Sequence, residues 1–459
     1  MGSTGVHNER GRLSGPMVVG EDGASWLRAA VALCVMYWLL LSYPLTLALT
    51  CLGTLLITVL IYLKRLLRAR ECPARLTCRD SALARHVGAH CPTFRHILRL
   101  PAWARNCHVQ SCLGLLACRQ GAHFAREYLQ LHDGGLLALD WAVGSQYVSP
   151  AHPLLLLLPD LTGSAVQLSA LCCQALTLGM RAVVINRRGQ AGSIVSTPKL
   201  PGYGDTSDLR EVIGYLQRTH QRAALCAVGV GTGGDALLSY LGQFGSSARL
   251  SAAVCISPSY NAADTLHGLP TPYLQLYLSH LKQAVLSNAQ VFGPLVQRAR
   301  GAWSVKEFDQ KVVSTCAGYN DLEDFWEDNE PLREADEVSA PVLCVSSLDD
   351  PVCRPQHIPY DLFRALPNFF LLTLPHGGHA GFRQGLGGLS WAEAAAMDFV
   401  QAMLSFQPCT CYVANGVHVA TQTNDLLDWT PDPLTLDLVT LEPEDTSRLP
   451  RTLPAEWHG

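Results

Sequence analysis

Residues 226–240 read CAVGVGTGGDALLSY, and the glycine cluster at their centre decides the fold. Ala227, Val228 and Val230 end an apolar run of strand character, and Ala236, Leu237, Leu238 and Tyr240 begin a helical pattern. A strand, a glycine turn and a helix either cradle a phosphate or push a nucleophile into solvent. Gly229, Gly231 and Gly234 satisfy the G-x-G-x-x-G spacing of a dinucleotide loop. That loop should close the first strand of its fold and be followed, ~20 residues on, by an acid that holds a ribose. Here other strands come first, and the following strand, AAVCISP (252–258), has no acid. The alternative is a G-x-S-x-G elbow, in which small residues two before and two after the nucleophile relieve a strained turn. Gly229 and Gly233 stand at those flanks.

Working outward, continuous apolar runs end in turn residues at PLLLLLPD (153–160), RAVVIN (181–186), APVLCVSSLDD (340–350) and NFFLLTLPHGG (368–378). Before them, REYLQL and GLLALDWAV flank HDGG, a hairpin signal. Strands apolar on both faces and separated by helical stretches predict an α/β fold: a mostly parallel central sheet with helices on both faces. Residues of about 259–338, including PYLQLYLSHLKQAVL and EFDQKVV, predict a helical insertion over the carboxyl ends of the strands, a lid. Asp349 and Asp350 end one strand and His379 follows the last, so elbow, acid and histidine occur in the chain order of a Ser-acid-His hydrolase.

The combination LLPDLTGS, INRRGQAGS, GDTSDL, LDDPV and HGGHAGF resembles the YheT-like, membrane-anchored branch of the α/β-hydrolase superfamily, over about residues 126–405. The resemblance implies action on lipid esters by a Ser-Asp-His triad. It places Asp350 as the acid, with Asp349 as the competing choice, His379 as the base, and Leu161 and Thr232 as backbone oxyanion donors. His376 is read as structural, Arg187 and Arg188 as loop-fixing residues, and Asp208 as a helix-start cap.

Two departures follow. The nucleophile position is Gly231, which carries no side chain, so no covalent acyl-enzyme forms there. Asp160 stands where this branch has glycine, placing a carboxylate beside the oxyanion pocket and opposing charge stabilisation there. The leading expectation is a pseudo-hydrolase of lipid metabolism with a regulatory or scaffolding role, binding an acyl lipid or a protein partner. The alternative is an active carboxylesterase or acylglycerol lipase that uses Thr232 or a His379-activated water. Thr232 would then need a positive φ, costly for a β-branched residue. A third possibility is an interaction protein that uses residues 76–120 and the tail.

Residues 29–63 contain no charged side chain, a stretch too long for one upright span of ~20 residues. Pro44 divides it, and the second half is the preferred single transmembrane segment. Lys64, Arg65, Arg68, Arg70 and Arg75 follow, which predicts a cytosolic globular domain. The first half of the apolar stretch either continues the span or forms a re-entrant hairpin. The endoplasmic reticulum or another endomembrane is compatible with this without being selected by it. Residues 1–28 are expected to be disordered, 64–125 to form a basic, helical connector with Cys72 and Cys78 open to acylation, and 406–459 to be an acidic, disordered tail. Net charge is −4 and the pI about 6.5, which gives no footprint for nucleic acid. No cofactor is expected. The 17 cysteines are odd in number and unpatterned, which suits a reducing compartment. Cys107, His108, Cys112, Cys118 and His123 match no usual ligand spacing, so no metal is expected.

Overall fold

The computed structural model describes residues 21–42, 44–67, 70–115, 122–144, 149–385, 387–406 and 435–436. The chain divides after Arg68 into two compact units. The first holds two helices, Glu21–Ser42 and Pro44–Leu67. Pro44 opens the second helix, where its missing N–H is no loss. Within it, Ala48–Arg65 has a mean hydropathy of 1.6 and no protein covering it, long and apolar enough to cross a membrane. Residues 21–28, expected to be disordered, are instead the first turns of Glu21–Ser42. Residues 1–20 lie outside the described residues.

The second unit contains strands β1 (Arg70–Cys72), β2 (Arg75–Cys78), β3 (Leu98–Leu100), β4 (His123–Gln130), β5 (Leu136–Val143), β6 (Leu154–Leu158), β7 (Arg181–Asn186), β8 (Leu225–Val230), β9 (Ala252–Ile256), β10 (Val342–Ser347), β11 (Phe369–Leu374) and β12 (Thr435–Leu436). A ten-stranded sheet runs β12-β2-β11-β10-β9-β8-β6-β7-β5-β4. From β11 through β7 every pairing is parallel; β2, β5 and β4 join antiparallel. Alternate residues explain the two covered faces. Leu155 and Leu157 pack towards the helices Ser169–Thr177 and Trp391–Ser405, while Leu154 and Leu156 pack towards Ser207–Thr219 and Thr232–Phe244. This is the α/β-hydrolase fold.

Residues 70–115 are not a connector outside the domain. β2 pairs with β11, Phe370 opposite Cys78 and Thr373 opposite Arg75. Its apolar residues, Leu76 and Cys78, lie in the main core, as does Cys72. The domain therefore begins near residue 70 instead of 126, and both candidate acylation cysteines are buried. RLTC is too short for its alternation to separate it from the basic stretch around it. Residues 116–121 and Cys118 lie outside the described residues. So does the expected tail, except for Phe406 and the two residues of β12, which pair with β2.

Between β9 and β10 the chain forms helices that include Ala262–His267, Thr271–Leu286, Leu295–Gly301 and Leu322–Asn329. They build a third core from Tyr277, Phe292, Phe308 and Phe325 that also takes in Leu161, at the start of the segment after β6. Arg187 donates to the carbonyls of Pro201 and Gly202. Arg188 grips Asp208 through two nitrogens at 2.8 and 2.6 Å and Asp133 at 2.8 Å. Asp208 thus anchors an arginine, and Asp205 receives the Ser207 N–H at the helix start.

Candidate functional site

Strand β8 ends in a sharp turn at Gly231, with φ +52° and ψ −123°, and the helix Thr232–Phe244 starts immediately after it. The flanking glycines are required by contact. A Cβ on Gly233 would lie 2.7 Å from the Pro159 carbonyl oxygen, and one on Gly229 would lie 2.6 Å from the Gly233 carbonyl carbon. These are the close approaches of an elbow, and nothing in them cradles a phosphate. A Cβ on Gly231 would overlap Asp160 Oδ1 and lie 2.8 Å from Asp160 Cγ. The carboxylate of Asp160 therefore fills the space that any side chain at position 231 would take.

Asp160 is brought there because β6 and β8 are neighbours in register, Leu158 opposite Gly229. Its Oδ1 accepts from the Thr232 N–H at 3.0 Å and the Thr232 hydroxyl at 3.1 Å. Its Oδ2 accepts from the Thr162 hydroxyl and the Tyr277 hydroxyl, each at 2.9 Å. The Leu161 N–H donates to Thr232 Oγ1 at 2.8 Å. Both amides expected to face an oxyanion are thus engaged within the protein. Burial would raise the carboxyl of Asp160, but the His379 charge and the Thr232, Tyr277 and Thr162 donors hold it below the usual range.

His379 meets Asp350 Oδ2 through Nδ1 at 3.1 Å and the Tyr277 oxygen through Nε2 at 3.3 Å. Burial opposes its charge, yet the charge and hydrogen bond of Asp350, joined by Asp160 and Asp235, raise its pKa to about 9. At neutral pH the ring is an imidazolium, a donor on both nitrogens. The resulting chain runs Asp350, His379, Tyr277, Asp160, with carboxylates at its two ends. Asp350 Oδ1 is held by the N–H groups of Val352 and Cys353. Asp349 points elsewhere: it receives the N–H groups of Gly377 and Gly378 and pairs with His376, which does not reach the site. Asp235, in the first turn after Gly231, is pushed up to about 7 by burial while Ser259 donates to both its oxygens.

The loop that carries His379 is braced by the helix Cys107–Leu115. Ser111 Oγ accepts the His379 N–H at 2.9 Å, and Gln110 bonds both the N–H and the carbonyl of Arg383. A Cβ on Gly378 would lie 2.8 Å from Gln110 Cβ, so the glycines of HGGHAGF answer to this helix. Tyr277, Thr162, Ser111 and Gln110 were not legible as site residues, because each lies on a segment whose approach is set by tertiary packing.

Beside this chain lies a cleft of about 730 Å³, its open mouth included, walled by Leu115, Leu168, Val230, Ile256 and Leu276, with Asp160, Tyr277 and His379 in its lining. Its mainly apolar wall, with a few polar groups converging on it, is of the kind that takes an apolar ligand. Among the described residues, Asp350, Cys353 and His379 form the one group of possible metal ligands. Its closest contact is the Asp350–His379 hydrogen bond, and the Cys353 thiol bonds the Ser257 carbonyl.

A sheet of this order, with a sharp turn after β8 and an acid-histidine pair beyond β10 and β11, defines an α/β-hydrolase-fold protein. Protein ABHD15 of Homo sapiens is 36% identical over 353 residues, 72% of this chain and 74% of its own. Phospholipase ABHD3 of Homo sapiens is 31% identical over 351 residues, 72% of this chain and 85% of its own. Monoacylglycerol lipase ABHD2 of Danio rerio is 25% identical over 396 residues, 78% of this chain and 90% of its own. No family model matches the chain. The chain belongs to the α/β-hydrolase domain, or ABHD, family.

Proposed function

We propose that this chain is a membrane-anchored protein of lipid metabolism that holds an acyl lipid in its hydrolase-type cleft without cleaving it, and so acts as a regulator or scaffold. The reading is carried by one observation: the Asp160 carboxylate fills the space beside Gly231 and occupies the Thr232 amide. Ester cleavage by this fold needs an attacking oxygen, a base to take its proton and free donors for the oxyanion. Gly231 has no attacking oxygen. His379, with its pKa near 9, already holds its proton at neutral pH. Leu161 and Thr232 have spent their amides inside the protein.

Thr232 does not replace the missing nucleophile in this geometry, since its hydroxyl donates to Asp160 and accepts from Leu161. The names of the related phospholipase and lipase support a lipid as the ligand, and the helix Pro44–Leu67 supports anchoring, with the basic residues after it favouring a cytosolic domain. In this reading Asp350 and His379 remain as a charge relay with no reaction to serve.

The test is fluorophosphonate labelling of the full-length protein, alongside native mass spectrometry of the detergent-solubilised protein with a monoacylglycerol. The expected result is a bound, intact lipid and no covalent adduct. An adduct on any residue of the 229–234 turn, or release of the fatty acid that Thr232→Ala or His379→Ala abolishes, overturns it.

A further inference from the structure

The helical insertion carries a feature that the cleft does not use. Trp303 is 85% exposed, whereas the next most exposed large apolar side chain among the described residues of the same unit, Ile194, is 53% exposed. From residue 282 to 311 the chain has five cations, Lys282, Arg298, Arg300, Lys306 and Lys311, against Glu307 and Asp309, in a protein of net charge −4. Asp309 is fully buried and bonded to Tyr203, so it contributes no surface charge.

Lys282, Arg300, Trp303, Glu307 and Lys311 adjoin one another, and Arg298 and Lys306 neighbour them in the chain. Lys282 Nζ sits 6.0 Å from the Trp303 ring centroid and donates to the Arg300 carbonyl at 3.1 Å. The backbone N–H of Trp303 donates to Glu307 at 2.8 Å, and Glu307 also pairs with Lys311, which offsets its charge. Arg298 and Arg300 lie in the last turn of Leu295–Gly301. The four cations other than Lys282 are exposed.

We propose that this face of the insertion docks on an anionic lipid surface, with Trp303 entering the headgroup layer and the surrounding lysines and arginines pairing with lipid phosphates and carboxylates. Charge sign selects an anionic partner. The isolated, nearly fully exposed indole selects a bilayer over a folded acidic protein. Protein interfaces bury an aromatic anchor among apolar neighbours, whereas indoles at membranes sit singly at headgroup level, flanked by cations. Docking here also touches the helix Thr271–Leu286, which bears both Lys282 and Tyr277, so the membrane surface would adjoin the helix that closes the cleft. The proposal does not depend on what the cleft holds.

The test uses full-length protein reconstituted into vesicles of brominated phosphatidylcholine, with or without about 30% phosphatidylserine. Quenching of intrinsic fluorescence is compared between wild type and Trp303→Phe, the difference being the signal of Trp303 alone. That difference is expected with phosphatidylserine. It should fall at least fivefold without it, in about 0.5 M salt, or in Lys282→Gln/Arg298→Gln/Arg300→Gln/Lys306→Gln. The lipid and salt arms use wild-type protein, so they decide the matter even if the quadruple variant misfolds. Equal quenching of wild type and Trp303→Phe in the anionic vesicles overturns the proposal. So does a Trp303 signal indifferent to lipid charge and salt, or protection of this face by an acidic protein in place of lipid. None of these outcomes bears on lipid in the cleft, which the native mass measurement reads separately.

Discussion

Asp160 and Gly231 share one space: the carboxylate of the first lies where any side chain on the second would have to be. The two come from different loops, after β6 and after β8, and the register of those strands sets them face to face. The bare glycine at the elbow and the carboxylate beside it are thus one structural arrangement. Without Asp160, the buried N–H of Thr232 would lack a partner, at a cost of ~1–3 kcal/mol. With it, the vacated turn is filled and bonded.

Restoring a serine alone should therefore fail. Gly231→Ser must place its Cβ against Asp160, at a backbone position that already costs a side chain ~1–3 kcal/mol. The single variant should be destabilised and remain unlabelled by a fluorophosphonate. Gly231→Ser with Asp160→Gly removes the clash, frees the Thr232 amide and takes a negative charge away from His379. That double variant should label, a non-additive gain expected of residues in contact. Equal labelling of the single and double variants would refute the coupling.

Stability should depend on pH through His379. Its pKa rises from 6.5 to about 9 on folding, so the folded state keeps a proton that the unfolded state loses. The stabilisation is full below pH 6.5 and is lost as pH rises through about 9, on the order of 3 kcal/mol in all. Asp160, with its pKa lowered, acts oppositely and only in acid: its share is lost as pH falls below the ordinary carboxylate value. Chemical denaturation at steps from pH 6 to 10 should show the decline, with a shallower slope in Asp160→Asn. A flat profile would mean that His379 is neutral in the folded protein.

Much of this was readable in the chain because strands and turns leave local marks. The apolar runs gave the parallel sheet, and the glycines of the 226–240 stretch gave the elbow. Asp160 could be marked as out of place beside LTGS, but its entry into the Gly231 space depends on the pairing of β6 with β8. Tyr277 sits in PYLQLYLSHLKQAVL, where a core aromatic and one that reaches the site have the same periodicity. The strand RLTC and the helix Cys107–Leu115 were hidden by a basic, cysteine-rich composition that resembles a linker, although one extends the sheet and the other braces the His379 loop.

Tyr277→Phe tests the tie between the insertion and the sheet. Tyr277 is buried, and its hydroxyl joins the Asp160 carboxylate to the His379 ring. Removing the oxygen leaves Asp160 Oδ2 to Thr162 and takes the partner from His379 Nε2. A hydrogen bond to a charged group is worth ~1.5–3 kcal/mol, so the loss should be of that order. The loosening should concentrate in Thr271–Leu286, read as faster amide hydrogen exchange there than in the helix Trp391–Ser405. Uniform change across both helices would assign Tyr277 to general packing.

Gln110→Leu tests the brace from the helix Cys107–Leu115. The Gln110 amide is buried and donates to the carbonyls of Ala104 and Arg383 at 2.7 and 3.0 Å, while its oxygen accepts the Arg383 N–H at 2.9 Å. Leucine is of similar size but leaves three backbone groups unsatisfied, a loss of several kcal/mol at ~1–3 kcal/mol each. Because Ser111 on the same helix holds the His379 N–H, the damage should reach the site and not only the melting temperature. In the Gly231→Ser/Asp160→Gly background, adding Gln110→Leu should therefore slow fluorophosphonate labelling even below the temperature at which the variant begins to unfold. Unchanged labelling kinetics there, with only a lower melting temperature, would limit this helix to stability and leave the placement of His379 to its own loop.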